Sequence, residues 1–153
     1  MLGQSRQHRQ QLLVERERWR EDMRRDAYHA YIAAAKQLSA AWWRAYNKLM
    51  DSAGPTDWQA SFTEAHDAWV EFSTAAAAVA IAGPREVVDA ADELRRAMTM
   101  WEDVGMTWIR AAMRDGNGRL DEFVDRFETA AEAKRIPDRA FQAAARAALG
   151  TEA

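Results

Sequence analysis

The chain has 153 residues, 48% of them hydrophobic and seven of them tryptophan, which suits one core and one domain and argues against a disordered chain. It has no cysteine, which excludes disulfides, thiolate nucleophiles and thiolate zinc sites together, and no apolar run approaches the roughly 20 residues that span a bilayer. The net charge of −3 is uneven: residues 1–53 sum to +4, residues 54–83 hold four acids and no base, residues 84–118 sum to −2 and residues 119–153 to −1.

Breakers at Gly54-Pro55, Gly83-Pro84, Gly116-Asn117-Gly118 and Ile136-Pro137 divide the chain into segments rich in Ala, Leu, Arg and Glu, which read as helices. The first helix is expected over about residues 4–52, with no Gly or Pro from Gln4 to Ala53. Its C-terminal half carries the stripe Tyr31, Ala34, Ala35, Leu38, Trp42, Ala45 and Leu49, whereas residues 5–26 are mostly charged and offer only Leu12, Leu13, Trp19 and Met23. A helix this long outruns its neighbours, so its N-terminal third is expected to overhang.

The second helix is expected over about 57–82, opened by Thr56 and Gln59 as a capping box, with the stripe Trp58, Phe62, Ala65, Trp69, Phe72, Ala76 and Val79. The third is expected over about 85–114, with Pro84 at its first position and the stripe Val87, Ala91, Leu94, Met98, Trp101, Gly105, Trp108 and Ala112. Gly105 lies on that stripe, where it leaves room for a facing ring. The fourth, about 118–135, has Asn117 as N-cap and a stripe of Leu120, Phe123, Phe127 and Ala130 or Ala131, and must end or bend before Pro137. A short fifth helix over about 138–149 carries Phe141, Ala144, Ala145, Ala148 and Leu149. Short connections make this an all-α, antiparallel up-and-down four-helix bundle with a long first helix and a short fifth. The topology gathers Trp42, Trp43, Tyr46, Trp58, Phe62, Trp108 and Phe123 at one pole and leaves the small residues Ala76, Val79, Val87 and Ala91 at a slimmer one.

Chemistry-bearing patterns are sparse. Asp115-Gly116-Asn117-Gly118-Arg119-Leu120-Asp121 follows the middle of an EF-hand loop, but Met113 and Val124 stand where the loop needs its first acid and its bidentate Glu. A turn between helices that uses glycines at positive φ accounts for the same residues. The paired Glu-x-x-His of di-iron bundles is missing: Asp26-x-x-His29 has no second copy, and the stripes of helices two to four hold no Asp or Glu. Ser61, Thr63, His66 and Asp67 crowd one helix at spacings that provide no concave, dry site, so no enzyme, metal or cofactor is expected. Basic charge over residues 5–26 is interleaved with Glu15, Glu17, Glu21, Asp22 and Asp26, which argues against nucleic acid.

Two surfaces stand out. Leu12, Arg16, Trp19 and Met23 make a partial seam on the overhang, a candidate face for a protein partner or for weak self-association. Trp42 and Trp43 diverge by about 100° and cannot both be internal, so Trp42, Trp43, Tyr46, His66 and Trp108 form a candidate pocket at the aromatic pole.

Gln7-His8-Arg9-Gln10-Gln11, Arg24-Arg25-Asp26-Ala27-Tyr28 and Ala140-Phe141-Gln142-Ala143-Ala144-Ala145-Arg146, with eighteen arginines against three lysines, resemble a family of uncharacterised actinobacterial helical-bundle proteins. In such relatives a membrane helix often precedes a run similar to Gly3 to Gln10, which implies that Met1-Leu2-Gly3 could be the stump of an anchor and the first helix a stalk. The resemblance implies no activity. The chain itself is expected to be cytoplasmic, or membrane-proximal through such an upstream segment, and to serve as a non-enzymatic interaction or scaffold module. The alternative is a small-molecule sensor or carrier with an apolar pocket at the tryptophan-rich pole.

Overall fold

The computed structural model describes residues 2–51 and 53–150, apart from the side chains at 2 and 4. Met1 of the expected anchor stump and position 52, the expected end of the first helix, lie outside the described residues. Five helices follow one another: α1 Leu2–Met50, α2 Pro55–Ala82, α3 Arg85–Asp115, α4 Asp121–Ala133 and α5 Arg135–Ala148. They form an all-α bundle, and among the described residues there is no strand and no helix long and apolar enough to cross a membrane.

α1 packs along α2 with residue numbers rising on one and falling on the other. The Arg44 guanidinium meets Glu64, Tyr31 stacks on Phe72, and the Arg24 Nε donates to the Ala82 carbonyl at 3.1 Å. The basic helix therefore lies beside the acidic one, as the charge pattern suggests. α3 completes the layer beneath: every residue of its stripe from Val87 to Ala112 is buried, because steps of three and four residues keep one face turned inward over the whole helix.

Large rings set the distances between axes. A Cβ on Gly105 would lie 2.3 Å from the Trp42 ring, so glycine is what allows the indole to cross α3. Trp42, Trp101 and Trp108 are completely buried, and Phe127 of α4 sits among them. The polar edges of buried aromatics find acceptors: Trp108 Nε1 donates to Gly118 O at 2.8 Å and the Tyr31 hydroxyl to Ala91 O at 2.7 Å. Trp101 Nε1 is the exception, buried with no protein acceptor.

The ends of the helices differ from expectation in four places. α2 starts two residues early, with Gly54 as N-cap and Pro55 in the first turn, so Thr56 lies inside the helix and is not its cap. Proline's fixed φ and missing N–H suit the first turn, and that preference overrides the capping box. Pro84 is likewise the N-cap of α3, with extended backbone, and not its first residue. Leu120, and not Asn117, precedes α4; the Asn117 side chain instead accepts from Arg119 N at 3.1 Å, closing a local turn. Finally, α5 begins at Arg135, so Pro137 falls within its first turn, where no donor is required. The break between α4 and α5 is therefore at Lys134.

The expected slim pole is not slim. Phe141 of α5 meets Tyr28 and Tyr31 edge-on, and Tyr31 and Trp69 both contact Phe72. A second ring cluster thus fills that half of the bundle, because α5 carries a phenylalanine back toward the start of the core.

Candidate interaction surface and aromatic pole

The body of the bundle stops where Arg24 and Tyr28 reach the α2–α3 connection: Arg24 donates to Ala82 O and the Tyr28 hydroxyl to Gly83 O. Before that point α1 continues alone. Every described side chain from Gly3 to Asp22 is exposed, a stretch of about 30 Å at 1.5 Å per residue. Leu12, Leu13, Val14 and Trp19 are all exposed on it, Trp19 to 68% of its surface. Arg16 is exposed, and Met23 is half-buried against the edge of the core. At 100° per residue Leu12, Arg16, Trp19 and Met23 occupy an arc of about 60°, so the four expected residues do share one face. The sequence identified this surface because a helix carrying few apolar residues cannot be covered along its whole length.

The five residues of the candidate pocket are not brought together around a cavity. Trp42 and Trp108 are fully buried and Tyr46 partly so, whereas His66 is on the exposed side of α2. Of the four Trp and Tyr residues, Trp43 is the one that opens outward, 40% exposed. Its ring touches Tyr46, Trp101 and Phe127, and its free edge lines a groove of about 600 Å³ between α1 and the α4–α5 junction. Lys134, Arg135 and Arg139 line it together with Glu128, Glu132 and Asp138, with Arg135 paired to Glu132 at 3.3 Å, a mixed-charge lining that suits a zwitterionic solute better than an apolar one. Lys134 ties the junction to the body: its ammonium donates to Ser39 Oγ at 3.0 Å and lies 5.7 Å from the centre of the Trp101 ring. Across the same junction the Tyr46 hydroxyl donates to Glu128 at 2.8 Å, which raises the Tyr46 pKa, with burial adding to the shift.

Sequence reasoning missed Glu102. It was expected that no acid lies on the α3 stripe, but this carboxylate is 8% exposed and accepts the Trp42 Nε1–H at 2.7 Å. Burial pushes its pKa up to about 7, against the opposing pull of the Trp42 hydrogen bond, and Asp103 adds to the rise. Two signals pointed there. Position 102 is four residues after Met98 and three before Gly105, within the buried arc, and a buried indole N–H needs an acceptor.

The Asp115–Asp121 segment is a turn between helices. Gly116 ends α3 in the left-handed conformation at φ 69° and its N–H returns to Ala112 O, while Asp115 pairs with Arg114. Among the described residues no three His, Asp or Glu gather as they would around a metal. No protein-family model, curated protein or solved structure matches this chain.

Proposed function

We propose that the protein is a non-enzymatic interaction module: the ring-filled bundle is a rigid base, and the first six turns of α1 are the surface it offers to a protein partner. The observation that carries this reading is the exposure of Leu12, Leu13, Val14 and Trp19 on a helix that runs about 30 Å beyond its own core. An exposed tryptophan flanked by arginine is the composition of a binding hot spot. The resemblance to actinobacterial helical proteins fits a stalk-like, membrane-proximal use of the same helix.

Removal of residues 1–20 tests it. The truncated chain should keep its helical core and thermal midpoint while losing the partner that the full chain retains from an extract of its source cells. Loss of the core on truncation, or retention of the same partner by both forms, would overturn the reading.

The Trp43 groove supports a second reading, a small-molecule sensor or carrier. Saturable quenching of tryptophan emission by a zwitterionic solute, absent in Trp43→Phe, would favour it; a screen of such solutes without quenching would dismiss it.

A further inference from the structure

The overhang has a matching surface on the same molecule. On the outer side of the body, α1 and α2 leave a groove of about 460 Å³ lined by Ala30, Ala33, Ala34, Val70, Thr74 and Ala78. Just beyond it is Ile81, 80% exposed, within a charge-free run from Ala75 to Ala82. At 100° per residue Ala30, Ala34 and Gln37 fall in the same arc of α1 as Leu12, Arg16, Trp19 and Met23. The exposed seam of the overhang and the groove of the body are therefore one continuous strip. One half of it carries protruding side chains and the other half is recessed.

A strip of that kind is self-complementary under a two-fold axis. We propose that the partner of the overhang is a second copy of this chain, its own overhang laid antiparallel in the α1–α2 groove, with the axis passing near Met23. This rests on the overhang being an interaction surface, and it names what the overhang binds. With Met23 at the centre, Leu12 of one copy comes level with Ala34 of the other, and Trp19 comes level with Ala27, beside Ala30, Ala78 and Ile81. A large ring and a leucine thus meet alanines instead of other large side chains.

Charge follows the same register. Arg9 of one copy comes level with Gln37 of the other, beside Glu71 in the groove wall and one turn from Asp67. The antiparallel arrangement thus sets Arg9 near Glu71 and Asp67, two of the four acids of α2, and leaves the contact nearer the axis against the uncharged run from Ala75 to Ala82. Two footprints of about 30 by 10 Å, counted on both copies, bury about 1,200 Å². That is the lower limit of specific association, so the dimer should be reversible.

Sedimentation of the full chain up to about 100 µM should show a monomer–dimer equilibrium. Trp19→Glu should weaken it about 30-fold, as loss of a central aromatic does. Arg9→Glu and Glu71→Arg should each weaken it, and the double variant should recover it. Because the chain lacks cysteine, single cysteines report the geometry directly. Met23→Cys should cross-link to its own copy on oxidation, whereas two Leu12→Cys sites would be about 33 Å apart and should not. Cross-linking of Leu12→Cys as readily as Met23→Cys would mean parallel pairing of overhangs, which overturns groove docking and leaves the overhang an interaction surface. A chain that stays monomeric at about 100 µM would overturn self-pairing alone, and the truncation test would still decide whether the overhang binds another protein. A dimer that survives removal of residues 1–20 would likewise overturn groove docking by the overhang.

Discussion

Glu102→Gln separates the cost of a buried charge from every other contribution to stability. In the fold this carboxyl titrates near 7, where an ordinary glutamate has 4.5, chiefly because burial beside Trp101 and Trp42 disfavours its charged form. Below about pH 4 both the folded and the unfolded chain hold the proton, and the group has no effect on stability. As pH rises through 4.5 the unfolded chain releases a proton that the fold retains, so stability falls until about pH 7 and then levels. At roughly 1.4 kcal/mol per pH unit that loss is about 3 kcal/mol. Glutamine is neutral throughout, and its carbonyl oxygen can accept the same Trp42 N–H. The variant should therefore match the parent near pH 4 and exceed it by about 3 kcal/mol at pH 8, a rise in thermal midpoint of about 6–12 °C for a domain of this size. Urea unfolding of both proteins at matched pH from 4 to 8 is the assay, with the difference between them as the readout so that other carboxylates cancel. A difference that does not grow with pH, or a variant less stable at pH 8, would refute the argument.

Three further substitutions probe the packing. Gly105→Ala places a methyl 2.3 Å from the Trp42 ring, so it should destabilise by about 2 kcal/mol in denaturant titration even though alanine is the better helix former by about 1 kcal/mol. Phe127→Ala removes the ring shared by Trp42, Trp43, Tyr46, Trp101 and Trp108; it should cost about 3–5 kcal/mol and red-shift the tryptophan emission as water reaches the cluster. Trp19→Phe should abolish most of the acrylamide-accessible fraction of the emission while leaving the unfolding midpoint within about 0.5 kcal/mol, because Trp19 is 68% exposed against 40% for Trp43 and packs on no core residue.

How much could be read in advance depended on the kind of residue. The α3 stripe and the C-terminal half of α1 were legible residue by residue, since a repeat of three and four along an uninterrupted helix leaves no other way to bury tryptophans. Gly105 was legible for the same reason: a glycine in mid-stripe needs a ring opposite it, and Trp42 is that ring. Helix ends were less so. Thr56, Pro84 and Asn117 each compete with a neighbouring glycine, proline or leucine for the cap, and energies of about 1 kcal/mol decide between them. Glu102 was hidden because acids are ordinarily solvated, and only its partner across the core explains its position.

The sequence by itself determined the helices, the inward face of each and the bare N-terminal third of α1, because these follow from periodicity within single segments. Only tertiary structure decided which rings met. It returned Phe141 to Tyr31, set Glu102 against Trp42, turned Trp43 outward to a mixed-charge groove in place of an apolar pocket, and aligned the overhang's seam with the α1–α2 groove. Those pairings depend on the bend at Lys134 and on the distance between axes, and both are set by the volumes of side chains far apart in the chain.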